Sequence, residues 1–165
     1  MLNSVLPYDF SSLLYNRISW RDEINSIQEN SLTDEPTLEQ EKNKKIVEMM
    51  ACCQSTITNG IDYNDEHYRL NTTDQINLTS LGALAQQGKS VPYHADGKIC
   101  RIYTAEEMIG LVQSATQFII YNTTYFNLLK HTINNMTDIE TVKSVVYGME
   151  LSKEYKEVLN SIISE

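Results

Sequence analysis

The stretch 91-VPYHADGKICRIYTAEEM-108 decides how this chain folds and whether it does chemistry. A histidine, an aspartate, a cysteine and two glutamates crowd into it, as they would in a reactive site. The same residues also spell a turn that hands a strand to a helix. Asp96-Gly97 is a hairpin-turn pair, because Gly accepts positive φ without steric cost and Asp tolerates the left-handed region while bonding its own backbone. Pro92 fixes the backbone on the way in. Residues 98–103 then read as a strand, with Ile99, Arg101 and Tyr103 on one face and Cys100 and Ile102 on the other. Thr104 followed by Glu107 is a capping box, and the charges of Glu106 and Glu107 suit the positive end of a helix dipole.

Weighed as chemistry, the stretch falls short. His94 near Asp96 could serve as a base or a metal ligand, but a metal needs more ligands. His67 and His131 fall in a predicted strand and a predicted helix with no second ligand at characteristic spacing. Cys100 lacks an activating base, and Arg101 points to the opposite strand face, so a core thiol is expected. The chain contains no P-loop, G-x-S-x-G elbow or H-E-x-x-H helix. No catalytic residue, cofactor or metal is assigned; Asp96 and Gly97 are turn residues.

The capping pattern recurs outside this stretch. Thr37 with Gln40, Thr72 with Gln75 and Thr137 with Glu140 propose three further helix starts, and a last helix is expected over 152–163. Between two of these helices, "NGIDYNDEHYRLN" reads as a hairpin punctuated by Asn59-Gly60 and Asn64-Asp65. The helix opening at Thr104 extends to about residue 135, roughly 48 Å at 1.5 Å per residue. Its Met108, Val112, Ala115, Ile119, Asn122, Phe126, Leu129, Ile133 and Met136 alternate spacings of four and three, and Leu111, Phe118 and Tyr125 widen the seam. An internal core helix is one reading. A subunit contact, with Asn122 as its register-setting polar residue and a homo-oligomer as its product, is the other. The fold class is α+β, mainly helical, with one long helix and small antiparallel hairpins.

Before this domain, 11–29 reads as a helix carrying Leu13, Leu14, Trp20, Ile24 and Ile27 toward one side. The acid-rich stretch "NSLTDEPTLEQEKNKK" separates that helix from the main domain, so an N-terminal helical arm and linker occupy 1–36 and the main domain 37–165. At 165 residues the chain accommodates one ordinary core plus an appendage. A formal charge of −9 with only 13 scattered Lys and Arg argues against direct nucleic-acid binding. No run approaches the roughly 18 apolar residues of a membrane span. "MLNSVLPYDFSS" shows no basic region followed by an apolar core, so no export signal is read, and the sequons at Asn71, Asn77, Asn122 and Asn135 are expected to stay unmodified. Three cysteines without C-x-x-C spacing suggest reduced, buried thiols rather than a disulfide or zinc framework.

The succession "TTDQINLTSL", "VPYHADGKICRIYTAEEM", "YNTTYFNLLKHTIN" and "VVYGMEL" resembles a domain family encoded in the tail modules of bacteriophages and prophages, beside or fused to tail-fibre and fibre-assembly proteins. The likeness spans about 41–151. It implies a virion or assembly role with no known reaction, in a tail built in the bacterial cytoplasm. The expectation is a structural component of a phage tail, in the baseplate or at the fibre attachment, with a fibre-assembly chaperone second and a tail-borne hydrolase third. In that setting Phe10, Leu13, Leu14, Trp20, Ile24 and Ile27 of the arm would dock on a neighbouring tail, baseplate or fibre protein, since aromatic and aliphatic anchors concentrate binding energy.

Overall fold

The structure, a computed structural model, describes residues 35–163, and its compact unit begins at Thr37. The helix expected over 11–29 lies outside the described residues. Helix α1, Leu38–Asn59, starts where the capping box places it: the Thr37 hydroxyl accepts the Gln40 N–H at 3.3 Å and the Gln40 side chain accepts the Thr37 N–H at 2.8 Å. The polar stretch read as a linker therefore ends at Pro36. Its second half forms the first turns of α1, whose Met49, Cys53 and Ile57 recur every four residues on the buried face.

Gly60 ends α1 at φ +92°, and its N–H bonds the Ile57 carbonyl. Strands β1, Ile61–Tyr63, and β2, Glu66–Tyr68, pair antiparallel with Tyr63 opposite Glu66. Asn64 and Asp65 both take positive φ, 50° and 63°, as a two-residue turn matched to strand twist requires. Helix α2, Thr72–Ala85, comes next, but Asn71 caps it, one residue before the expected Thr72. The Asn71 side chain accepts the N–H groups of Thr73 and Asp74 at 2.9 and 3.1 Å, and Asp74 accepts the Asn71 N–H at 3.2 Å. Asn outranks Thr as a cap, and Gln75 turns instead to the Leu70 carbonyl at 2.8 Å.

Strands β3, Val91–Tyr93, and β4, Arg101–Tyr103, form the second antiparallel pair. The strand expected over 98–103 is thus half as long. The Asp96-Gly97 turn is present, with Lys98 N–H on the Ala95 carbonyl at 3.1 Å and Gly97 at φ +69°, but it sits inside the connection 94–100 rather than joining the strands directly. The reason is tertiary: Asp96 N–H donates to the His67 carbonyl at 2.8 Å, which ties the loop to the first hairpin instead of extending its own ladder. The expected face alternation survives over 101–103, where Arg101 lies over the Tyr103 ring, and is lost at Ile99 and Cys100. Cys100 is exposed rather than a core thiol, and Ile99 is 91% exposed. Of the three cysteines, only Cys53 is buried, Cys52 being intermediate.

Thr104 and Glu107 open α3, Ala105–Asn135, as expected. Asp138, not Thr137, caps α4, Ile139–Ser144, by accepting the N–H and the hydroxyl of Thr141, each at 2.8 Å. Helix α5, Lys153–Ile163, closes the described fold, with the Ser152 hydroxyl accepting the Tyr155 N–H at 3.3 Å. The architecture is α+β and mainly helical, with two small two-stranded sheets.

The 31 residues of α3 run about 46 Å, and one apolar cluster could not cover that length. Two do. The first half of α3 presents Met108, Leu111 and Ala115 to Ile57, Leu78, Val91 and the hairpin tyrosines. Its second half presents Tyr125, Leu129 and Ile133 to Met49, Val142, Val145 and Leu159. The buried line follows Met108, Leu111, Ala115, Asn122, Tyr125 and Leu129, so it takes Leu111 and Tyr125 from the second row in place of Val112, Ile119 and Phe126 and keeps a heptad spacing as far as Leu129.

Candidate functional site

Strand alternation turns the last residue of β2, β3 and β4 inward, and in each case that residue is a tyrosine. Tyr68 and Tyr93 lie parallel with ring centres 6.3 Å apart, and Tyr103 meets Tyr93 edge-on at 6.1 Å. The Tyr68 hydroxyl donates its one proton to the Glu66 carboxylate at 2.9 Å, so the Tyr103 hydroxyl, also 2.9 Å away, must be the donor in the bond between the two. Arg101 continues the network. Its guanidinium reaches Glu66 at 3.5 Å and Glu107 at 3.3 Å while lying 3.7 Å from the centre of the Tyr103 ring.

The electrostatics hold these groups in their resting states. Burial first, then the bonds to Tyr103 and Glu66, pushes the Tyr68 hydroxyl well above the ordinary phenol range. Burial and the nearby Asp74 carboxylate push Tyr93 up to about 12. The Thr104 backbone N–H, and to a smaller degree Arg101, holds the Glu107 carboxyl below its usual range. The arrangement suits neutral tyrosine posts braced by an ion pair; it joins both hairpins to the start of α3.

Beside this frame lies a cleft of about 180 Å³ whose lining includes Arg69, Asn71, Asp74, His94 and Asp96. Two pieces of the sequence resemblance, around Asn71–Asp74 and Tyr93–Asp96, thus meet in one place. Each of these side chains already makes a bond within the chain. Asn71 and Asp74 cap α2, Asp96 pairs with the Arg69 Nε at 3.1 Å, and His94 Nδ1 donates to the Ala95 carbonyl at 3.0 Å. His67 directs its ring elsewhere, with Nδ1 2.7 Å from the Asp62 carboxylate and Nε2 2.7 Å from the Asn59 carbonyl. His131 is exposed on α3. Among the described residues no three or more His, Cys, Asp and Glu converge to hold a metal ion.

A second concavity, of about 340 Å³, opens between the latter half of α3 and α5, lined by Tyr121, Tyr125, Tyr147, Leu151 and Leu159 among others. Asn122 is among the residues lining it and is buried within the chain. Its amide donates to the Phe118 carbonyl at 2.9 Å, its side-chain oxygen accepts the Tyr147 hydroxyl at 3.1 Å, and its carbonyl accepts the Cys53 thiol at 3.4 Å. The residue read as setting register between subunits makes its bonds inside the chain, to Cys53 of α1, Phe118 of α3 and Tyr147 after α4. The Tyr125 hydroxyl donates to the Met149 carbonyl at 2.8 Å, and burial followed by the Cys53 contact raises the Tyr147 hydroxyl far above the phenol range.

These tyrosines were missed as a class in the sequence reading. The available signal was the excess of 10 Tyr over 3 Phe, since a buried Tyr requires a partner for its hydroxyl. What the frame offers to solvent is apolar. Ile102, 64% exposed, pairs across the sheet with exposed Pro92, and Ile99 projects from the adjoining loop. Phe10, Leu13, Leu14, Trp20, Ile24 and Ile27 lie outside the described residues. No helix of the described residues is long and apolar enough to cross a membrane.

No curated protein and no solved structure matches the chain significantly. A family model does match, over residues 40–146, a span that contains both hairpins, the tyrosine frame and all of α3. The chain belongs to the family described as "Domain of unknown function (DUF4376)".

Proposed function

We propose that this chain is a non-enzymatic structural component of a bacteriophage tail, in the baseplate or at the fibre attachment, and that it works through contacts with other tail, baseplate or fibre proteins. The observation that carries the contact-making role is the pairing of a braced frame with outward apolar residues. Ile99 and Ile102 stand in water on a hairpin whose Arg101 is paired with Glu66 and Glu107. Burying one such side chain fully is worth about 1.5–3 kcal/mol, and a frame already held rigid loses little further entropy on docking. The tail setting itself is supported by the sequence resemblance. The arm residues around Trp20, taken from the apolar side of the helix read over 11–29, are the second proposed set of anchors.

The test is quantitative mass spectrometry of tailed particles purified from the host that encodes the chain. The expected result is the chain at a fixed stoichiometry in finished particles. Replacing Ile99 and Ile102 together by Asp should cut incorporation at unchanged circular dichroism, and Trp20→Ala should weaken co-purification with tail proteins by about 2 kcal/mol. Presence in assembly complexes but absence from particles would identify a fibre-assembly chaperone instead. Absence from both would overturn the proposal.

A further inference from the structure

We propose that His67 is a protonation-dependent clamp that holds the β1–β2 hairpin onto the end of α1. Both ring nitrogens face acceptors at 2.7 Å: Nδ1 the Asp62 carboxylate on β1, Nε2 the Asn59 carbonyl at the last residue of α1. A neutral imidazole carries one N–H and one lone pair, so only the imidazolium satisfies both contacts. The ring lies on the surface, its side chain 45% exposed, so solvent protons reach it.

The charged groups around the ring favour the proton. The bond to Asp62 has the largest effect and the Asn59 carbonyl the next; partial desolvation of the ring opposes them, and the charges of Asp62 and of Asp96, itself paired with Arg69, add smaller effects in favour of the proton. Among the described residues, no opposing cation belongs to the groups that act on the ring. The His67 pKa is accordingly raised above its ordinary value.

Loss of the proton has a defined structural consequence. The carboxylate is the stronger partner, so the remaining N–H stays with Asp62. The Nε2 lone pair then faces the Asn59 oxygen, and the ring must leave the end of α1. The Leu70 N–H still bonds the Thr58 carbonyl at 3.3 Å, and Tyr68 stays packed in the cluster that holds Cys53 and Ile57 of α1. The His67 carbonyl also receives the Asp96 N–H, so the clamp stands where α1, the first hairpin and the 94–100 loop meet. Rising pH loosens that meeting point without touching the two apolar clusters.

The experiment is NMR on the full chain: the His67 ring resonance is titrated while amide exchange of residues 60–68 is followed across pH, corrected for intrinsic exchange. His67 should titrate above the roughly 6.5 of an unperturbed histidine. Hairpin protection should fall through the same midpoint by about two- to tenfold, the worth of one net hydrogen bond. His67→Gln should abolish that pH dependence, and Asp62→Asn, which keeps the ring and the α1 contact, should lower the midpoint. A His67 midpoint at or below about 6.5, hairpin protection that ignores it, or a midpoint unmoved by Asp62→Asn would each overturn the proposal.

Discussion

Removing the hydroxyl of Tyr68 should cost more than removing that of Tyr103, although the two residues share one hydrogen bond and each is 2% exposed. The asymmetry arises from proton direction. In Tyr103→Phe, Tyr68 still donates to Glu66 and loses only an incoming bond, a net cost of about 1 kcal/mol. In Tyr68→Phe, Glu66 loses a donor and the buried Tyr103 hydroxyl loses its acceptor. An orphaned buried hydroxyl adds about 1–3 kcal/mol to the roughly 1 kcal/mol of the lost bond to Glu66, so roughly 2–4 kcal/mol is expected in all. The double Phe variant removes the orphan as well and should cost about 2 kcal/mol, less than the two single effects combined. Phe keeps the rings and their stacking on Tyr93, so packing changes little. Urea unfolding followed by circular dichroism would measure these differences at constant m, and thermal melts should move by about 3–5 °C per kcal/mol. Equal costs for the two single variants, or strict additivity in the double, would refute the shared bond and the network built on it.

The remaining predictions concern backbone and charge. Gly60→Ala should destabilise more than Gly97→Ala: both need positive φ, costing about 1–2 kcal/mol for a side chain, but a methyl at Gly60 would also collide with the Tyr68 carbonyl while Gly97 faces open space; thermal melts of the two variants decide it. Glu107 should contribute to acid sensitivity. Its folded pKa is depressed, so its stabilisation is present above the unfolded carboxylate value of about 4.3 and is lost as pH falls through the lower folded value. Glu107→Gln, which can still close the capping box, should lack that component, and its melting temperature should converge on the parent's as pH falls below about 4.

The legibility of each candidate site residue depends on how far along the chain its partners lie. His94 and Asp96 looked like a reactive pair because they are close in sequence, yet each is engaged with a different backbone or side-chain partner. His67 was set aside in its strand for want of a second ligand, because its two partners, Asp62 and Asn59, signal nothing until the hairpin folds against α1.

By itself the sequence determined what acts within a few residues: helix starts at Thr37 and Thr104, the turn at Asn64-Asp65, the turn at Asp96-Gly97, and the length of α3. Caps and turns close rings of backbone and side chain over two to four positions, so their partners are neighbours in the sequence. Even there, competition between neighbours misled, and the Asn71 and Asp138 side chains, stronger caps than Thr, took the caps from Thr72 and Thr137. Only the tertiary structure decided which side chains meet across long separations. Tyr68 finds Tyr103 35 residues away, and Asn122 finds Tyr147 25 residues away. The His67 carbonyl, by capturing the Asp96 N–H, shortens β4 and leaves Ile99 and Cys100 in water. Such bonds depend on where two hairpins land on α3, and that placement is set by burying the whole apolar surface at once rather than by any local pattern.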